Sequence, residues 1–353
     1  MGTIREFLRS IKALVTHDAM RPSGPFNYCL IHPKPLIIMT SVMRSLWNVA
    51  WISNQLESVP VTILVAFSWS MESLYHAVRL RRQARTLERK SPHHALIFLC
   101  NSEQEMILLK KLGLTAIHIN KNCFLSEYEY YPERTKQLYL ACLNARPSPF
   151  KRHYLAKNVS SLVVIHLRPS SPSEVRYLDS TKSLLSHATW ANWVTGTYRK
   201  LVGSELRTVI SSAKVGLALS ATEGQCQAVG EYLLCGIPVV STHCRGGRDT
   251  LFPKGCFLIA DDNPESVARA VDELASRNLH PEWVRTCVLE KIEEYRHRFC
   301  TLINGILLEN GSGPVAAAEL FRHIPNKAKR FCQPDDFLKC LEADLEAYKN
   351  AHR

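Results

Sequence analysis

Short apolar runs alternate with amphipathic stretches along most of this chain. Phe26–His32, Leu36–Thr40, Val61–Phe67, Ala95–Cys100 and Ala116–Ile119 are bounded by Pro, Ser, Asn or Lys, the pattern of buried strands. Met71–Lys90 and Glu103–Leu112 read as helices. Ser102 is placed to cap the second, with Glu103 and Glu105 in its first turn and Gly113 just past its end. The alternation resumes near Leu138. Strands are expected at Leu138–Leu143, Leu162–Leu167, Val215–Ser220, Ile237–Ser241 and Cys256–Ile259. Helices are expected at Phe150–Asn158, Glu205–Ala213, Gln227–Leu234, Pro264–Ala275 and Pro281–Leu307, and a Pro/Ser-rich loop at Arg168–Glu174. Strand, helix, strand with short links implies parallel sheets covered by helices. The expected fold is α/β, with two doubly wound Rossmann-type parallel-sheet domains. Pro132 and its charged neighbours break the pattern at Tyr131–Lys136. That divides the chain into an N-terminal α/β domain (1–135) and a second α/β domain (136–310). Residues 311–353, rich in Gly and Pro with two short helical stretches, read as a helical tail packed against a domain.

Length and composition fit two packed domains: 353 residues, 46% hydrophobic and 22% charged. The longest apolar runs fall far short of the roughly 20 residues that span a bilayer. The twelve cysteines lie at long, irregular gaps with no CxxC, so buried free thiols in a reducing cytosol fit better than a disulfide framework or a zinc site. The expected location is cytoplasmic. The N-terminus lacks the continuous apolar core of a secretory signal. Its Ile4, Phe7, Leu8, Ile11, Leu14 and Val15 recur at helical spacing, with Arg5, Arg9 and Lys12 elsewhere on the turn. Such a helix packs on its own domain or lies on an anionic membrane surface.

The net charge of +12 favours anionic partners without choosing among them. The basic stretch Arg79 to Lys90 carries the apolar stripe Leu74, Val78 and Leu87, which makes it a solvated helix face. No nucleic-acid motif accompanies it, and no nucleic-acid partner is expected. None of the histidines, His93, His94 and His166 included, has a metal-motif partner. There is no Gly-x-Ser-x-Gly elbow and no phosphate-binding Walker loop.

The chemistry concentrates in VGLALSATEGQCQAVGEYLLCGIPVVSTHCRGGRDTLF, from Val215 to Phe252. A strand ends in a polar loop carrying Glu223 and Gly224, a helix follows with Glu231, and Gly236 stops it before Pro238-Val-Val. The loop lies at the carboxyl end of a parallel strand, where open α/β sheets bind ligands. The helix start offers free N–H groups to a phosphate or a polar sugar edge. A carboxylate can hold two vicinal hydroxyls, as a ribose or hexose presents them.

Glu223 and Glu231 with these flanks resemble the E-x7-E motif of retaining group-1 glycosyltransferases with the GT-B fold. Asp262-Asn-Pro264-Glu265 at a helix start extends the match, which covers roughly 138 to 310. The resemblance implies two Rossmann-type domains facing a cleft, with the nucleotide-sugar donor on the second and a saccharide, lipid-linked or protein acceptor on the first. It implies that Glu231 accepts the nucleotide ribose hydroxyls and that Glu223 holds a hydroxyl of the donor sugar. Backbone N–H groups after Gly224, at Gln225 and Cys226, would lie beside that sugar. Asn144-Ala-Arg146-Pro-Ser-Pro-Phe-Lys151-Arg152 resembles the family's Gly-Arg…Lys-Gly element, whose cations bracket the donor diphosphate. Arg146 and Lys151 would then stabilise the departing charge in place of a metal, and no cofactor is expected. The implied reaction is glycosyl transfer to a hydroxyl, with retention of configuration.

Gly246 and Gly247 in Arg245-Gly-Gly-Arg248, and Asn120 and Asn122 after a strand end of the first domain, are candidates for the cleft. The chain departs from the family at several points. Gln225-Cys226 stands for Phe-Gly, Ala145 stands for the glycine before the phosphate-binding arginine, and no Gly-rich acceptor loop is visible near the N-terminus. These departures motivate the alternative of a non-catalytic descendant that binds nucleotide or glycan, or serves in assembly.

Overall fold

The computed structural model describes residues 22–194 and 196–351, without the side chain of Val194. The amphipathic segment at residues 4–15 lies outside the described residues. The chain forms two compact units. The first comprises residues up to Lys121 and from Arg298 onward; the second is Asn122–His297.

The first unit opens with β1 (Phe26–Pro33) and β2 (Leu36–Val42), an antiparallel pair. Only Lys34 and Pro35 join them, too few residues for the crossover a parallel pair needs. From β2 onward the strands step in one direction: β3 (Val61–Phe67), β4 (His94–Cys100) and β5 (Ala116–His118) each pair parallel with the strand before. Helices α1 (Trp47–Gln55), α2 (Leu74–Lys90) and α3 (Glu103–Lys111) connect them. Helix α1 was not expected, for it has no capping side chain. Helix α2 buries Ala77, Leu80 and Ala84 and exposes Arg81, Arg82, Arg85, Arg89 and Lys90, as a solvated helix face does. At α3 the Ser102 hydroxyl accepts from the Glu105 N–H at 3.2 Å.

The second unit holds a six-stranded parallel sheet. Its strands are β6 (Tyr139–Asn144), β7 (Leu162–Ile165), β8 (Thr189–Trp190), β11 (Ala213–Ala218), β13 (Val239–Thr242) and β15 (Phe257–Ala260). The hairpin β9 (Trp193–Val194) and β10 (Thr197–Tyr198) and the parallel pair β12 (Thr222–Glu223) and β14 (Arg245–Gly246) stand apart from it. The order across the main sheet is β15-β13-β11-β6-β7-β8. The chain builds outward from β6 to one side, then returns to build the other side from β11. That reversal is the Rossmann order, and its crevice opens at the carboxyl ends of β6 and β11. The connecting helices are α4 (Pro172–Leu184), α5 (Gly203–Ser211), α6 (Gln227–Leu234) and α7 (Pro264–Ser276).

Two local expectations differ. The segment expected as a helix at Phe150–Asn158 is two 3-10 turns, Pro149–Lys151 and His153–Ala156, separated by Arg152 at φ 51°. A left-handed residue cannot continue a helix. The expected loop Arg168–Glu174 already contains the start of α4, where the Ser171 hydroxyl accepts from the Glu174 N–H at 3.3 Å. Ser171-Pro-Ser-Glu174 has the capping-box spacing, with Pro in the first turn.

Helix α8 (Pro281–Glu309) passes the unit boundary, and the rest of the chain belongs to the first unit. After α9 (Ala317–His323) comes β16 (Arg330–Cys332), which pairs antiparallel with β1 as the outer strand of the first sheet. Helix α10 (Phe337–Ala351) buries Phe337 and Leu341 in the same core as Phe26 and Tyr28. The domain boundary expected at 135/136 thus lies at 121/122. Residues 311–353, expected as a helical tail, contribute both a strand and a helix to the first unit.

Candidate functional site

Helix α6 is packed unusually close to its sheet. Val229 to Leu234 are all buried. Gly216 on β11 leaves room for the Tyr232 ring, which a Cβ there would overlap. Tyr232 then reaches the end of β6, where its hydroxyl accepts from the Asn144 N–H. The neighbouring Glu231 arrives at the same strand end. It accepts from Asn144 Nδ2 at 3.0 Å and from Tyr130 Oη at 3.3 Å. This carboxylate, 4% exposed, is held in place by neutral donors, Asn144 and Tyr130 among them.

Glu223 lies at the end of the adjoining strand β11, in β12. Its Oε1 accepts from Ser220 Oγ at 2.6 Å and from Lys151 Nζ. Both members of this ion pair are largely buried, 15% and 7% exposed at the side chain. Burial pulls the Lys151 pKa down, but Cys226 and Glu223 outweigh it and hold the ammonium above the ordinary lysine range. Glu223 pairs with Gly246 across β12 and β14. Gly246 has φ 113°, a conformation suited to glycine. Gly247 is buried, and its carbonyl accepts from Thr250 Oγ1 at 2.8 Å.

The strand ends are fastened by two arginines that the sequence reading did not single out. Arg248 is completely buried. Its Nη1 donates to the carbonyls of Ala218 and Ser220 at 2.8 Å each, Nη2 to that of Thr242, and Nε to Asp249 Oδ1 at 2.7 Å. Replacing it with methionine removes three hydrogen bonds from a buried charged donor; Ser241 Oγ still reaches the carbonyls of Ala218 and Thr242, while that of Ser220 loses its donor. Hydrogen bonds from charged groups contribute about 1.5–3 kcal/mol each, so Arg248→Met is expected to lose at least about 3 kcal/mol. Calorimetric unfolding checks this, and a midpoint within 1–2 °C of wild type, by rough scale, would contradict it.

Arg152 donates to Leu219 O at 2.6 Å, Thr242 Oγ1 at 2.6 Å and Asp262 Oδ2 at 2.8 Å. It occupies the position the family resemblance gives as glycine, and it keeps glycine's left-handed backbone. Cys226 does the same at the other glycine position, with φ 49°. Left-handed backbone costs an ordinary residue roughly 1–2 kcal/mol. At Arg152 three side-chain bonds offset that. The Cys226 thiol is pushed up to about 11 by burial and by Glu223, so it is protonated at neutral pH.

The other expected residues fall in different places. Arg146 is tied by Nε to Glu174 Oε1 at 2.7 Å and by Nη2 to Ser170 Oγ at 2.8 Å, while Lys151 is closed on Glu223. Gln225 is buried, its side-chain oxygen has no hydrogen-bond partner, and its backbone carbonyl accepts from Asn122 Nδ2 at 2.8 Å. Asn122 thereby buttresses the Glu223 loop. Asn120 belongs to the first unit, where its Nδ2 donates to Asn101 O at 3.2 Å. Tyr130, which steadies Glu231, carries no local sequence signal.

His153 sits on the turn after Lys151, 1% exposed, with Nδ1 3.2 Å from Tyr177 Oη. Burial lowers its pKa from 6.5 to about 4. The folded chain keeps it neutral while the unfolded chain takes up a proton near 6.5. Stability is therefore fully present above that pH and lost as pH falls through the window down to about 4, by roughly 3 kcal/mol. The thermal midpoint of His153→Gln should fall less steeply than wild type between those values. Parallel curves would rule this out.

Among the described residues no group of three or more metal-ligating side chains occurs, and no helix is long and apolar enough to cross a membrane. All twelve cysteines are free thiols.

No curated protein matches the chain by sequence. In three dimensions it is similar to sucrose-phosphate synthase from Thermosynechococcus elongatus, with 16% identity, TM-score 0.50, and coverage of 73% of this chain and 69% of that one. It is similar to TarM with 13% identity and TM-score 0.52 over 76% of this chain, which spans 54% of TarM. Likeness at these identities is one of fold, and it agrees with the α/β, Rossmann-like architecture read from the sequence. The model of the family "Glycosyl transferases group 1" matches residues 161–277, the stretch that runs from β7 through Glu223 and Glu231 to the end of α7. The likeness to that family thus covers residues 161–277, within the second unit.

Proposed function

We propose that the second unit binds a nucleoside-diphosphate sugar at the carboxyl ends of β6 and β11, and that the protein transfers the sugar to an acceptor hydroxyl with retention of configuration. One observation carries this reading: two buried carboxylates, Glu231 and Glu223, stand at the adjoining strand ends of a Rossmann crevice, the second with a buried lysine on it. Glu231, already oriented by Tyr130 and Asn144, accepts the two ribose hydroxyls. Glu223 accepts a hydroxyl of the donor sugar. Lys151 moves from Glu223 to the diphosphate, and Arg146 supplies a second cation. The bond from the anomeric carbon to the diphosphate oxygen breaks as the acceptor oxygen bonds to the same face of that carbon. The acceptor proton passes to the departing diphosphate. The fixed cation stabilises that departing charge more than it does the intact donor.

Binding of UDP, GDP, ADP and CMP, with release of nucleoside diphosphate from the hexose donors that match the first three, tests the reading. Selective binding with turnover supports it, and a folded protein that binds none of the four sinks it. Binding without turnover assigns the chain to a non-catalytic descendant. The side chains at Arg152 and Cys226, where the family has glycine, favour that second reading.

A further inference from the structure

Lys121 follows β5 and is only 3% exposed. Its N–H donates to Asn101 Oδ1 at 3.2 Å, and Asn101 Nδ2 donates to Phe67 O at 2.9 Å. The lysine is thus fastened to the carboxyl ends of β3 and β4. Its Nζ donates to Ser41 Oγ near the end of β2. No carboxylate is bound to that ammonium among the described residues; the other charge acting on it is a cation, Lys329.

Ser41 lies on the sheet face turned away from Ile38, Ile63 and Val65, which pack into the first unit's core. Tyr28 pairs with Thr40, so Asn27 and Ser41 form the next rung, on that opposite face. Asn27 is 8% exposed, and among the described residues its Nδ2 has no hydrogen-bond partner. Asn27 also pairs with Phe331, two residues beyond Lys329. An ammonium with unused protons, an orphaned amide donor, a hydroxyl and a second cation therefore gather at the carboxyl edge of parallel strands. An orphaned buried donor is costly and a buried unpaired charge more so. A tetrahedral dianion would satisfy the donors and balance the Lys121 ammonium.

We propose that Lys121, Asn27 and Ser41, with Lys329 beside them, form an anion site in the first unit that takes a phosphate group. The site is made of residues of the first unit and does not depend on the reading given to the second unit's crevice.

The test is calorimetric titration of inorganic phosphate and of glycerol phosphate into the full chain near pH 6.5. Lys121→Met is expected to weaken binding at least tenfold and Asn27→Ala severalfold, while Lys151→Met leaves this site within twofold. Burial and Lys329 pull the Lys121 amine down to about 7. An anion bound there raises it again. Above that pH binding should take up a proton through Lys121, and affinity should fall as pH rises. Proton uptake, read from titrations in buffers of different ionisation enthalpy, should diminish in Lys121→Met. Tighter binding of glycerol phosphate points to a phosphorylated ligand, and tighter binding of inorganic phosphate points to the free ion. Unchanged affinity in a folded Lys121→Met, or a loss that follows Lys151 instead, overturns the proposal. If Lys121→Met does not fold, unchanged affinity in Asn27→Ala does so.

Discussion

Glu231→Gln is expected to weaken nucleotide binding by about 10²-fold. The substitution keeps the size of the side chain and removes its charge. Two hydrogen bonds from ribose hydroxyls to a carboxylate become bonds to a neutral amide, and the amide presents only one accepting atom. Bonds to charged groups contribute about 1.5–3 kcal/mol each, neutral ones about 1. Losing the charge from both, and the second bond altogether, amounts to roughly 3 kcal/mol, which is the stated factor. Asn144 Nδ2 and Tyr130 Oη already donate to this carboxylate. An amide nitrogen turned toward Asn144 would set two donors against each other, which adds to the loss. Calorimetry of wild type and variant with the preferred nucleotide measures the effect, and an affinity within threefold of wild type would remove Glu231 from the ribose.

The second large effect is expected on turnover. Lys151→Met should lower kcat by about 10²–10³, the scale on which single donors to a developing oxyanion act. Nucleotide affinity should fall by only about tenfold, because the bound ground state carries less of the departing charge. Glu223 sharpens the expectation. Without Lys151 it remains a nearly buried carboxylate with the Ser220 hydroxyl on it, and it opposes the incoming diphosphate. The double variant Lys151→Met, Glu223→Gln should therefore bind nucleotide better than Lys151→Met alone while its turnover stays low. Lys151→Arg should rescue little, since a planar fork does not replace a compact ammonium in a largely buried position. Equal losses in affinity and in kcat/KM, with kcat unchanged, would confine Lys151 to binding.

The expected strands of both sheets are present because each is a continuous apolar run between polar breakers, and a run buried on both faces leaves little freedom in where it lies. Helix α6 with its Glu231, and Glu223 in the loop before it, were legible for the same reason: strand, polar loop, helix and Gly236 follow in order. The antiparallel turn at Lys34-Pro35 and the start of α4 had local signals too, a link too short to cross over and a capping box, but a parallel sheet and a loop were expected there. The turns around Arg152 had none. Their geometry rests on a left-handed arginine held by Leu219, Thr242 and Asp262, partners far away in the chain. Arg248 and Tyr130 escaped notice likewise, since a buried arginine or tyrosine acquires its role from the carbonyls and carboxylates that folding brings to it. The affiliation of residues 311–353 turned on the three-residue strand Arg330–Cys332, whose pairing with β1 has no local signature.

That pairing has a consequence for the order of synthesis. The second unit is one continuous stretch of chain, so it can be complete on the ribosome while the first still waits for its last part. Strand β1 is made first and its outer neighbour β16 nearly last, with the whole second unit translated in between. Throughout that interval β1 presents an open edge, the kind of surface on which stray strands pair. The half that carries the paired glutamates can thus be native before the half that carries Lys121, and the interval between them is when a nascent chain of this protein most needs a chaperone.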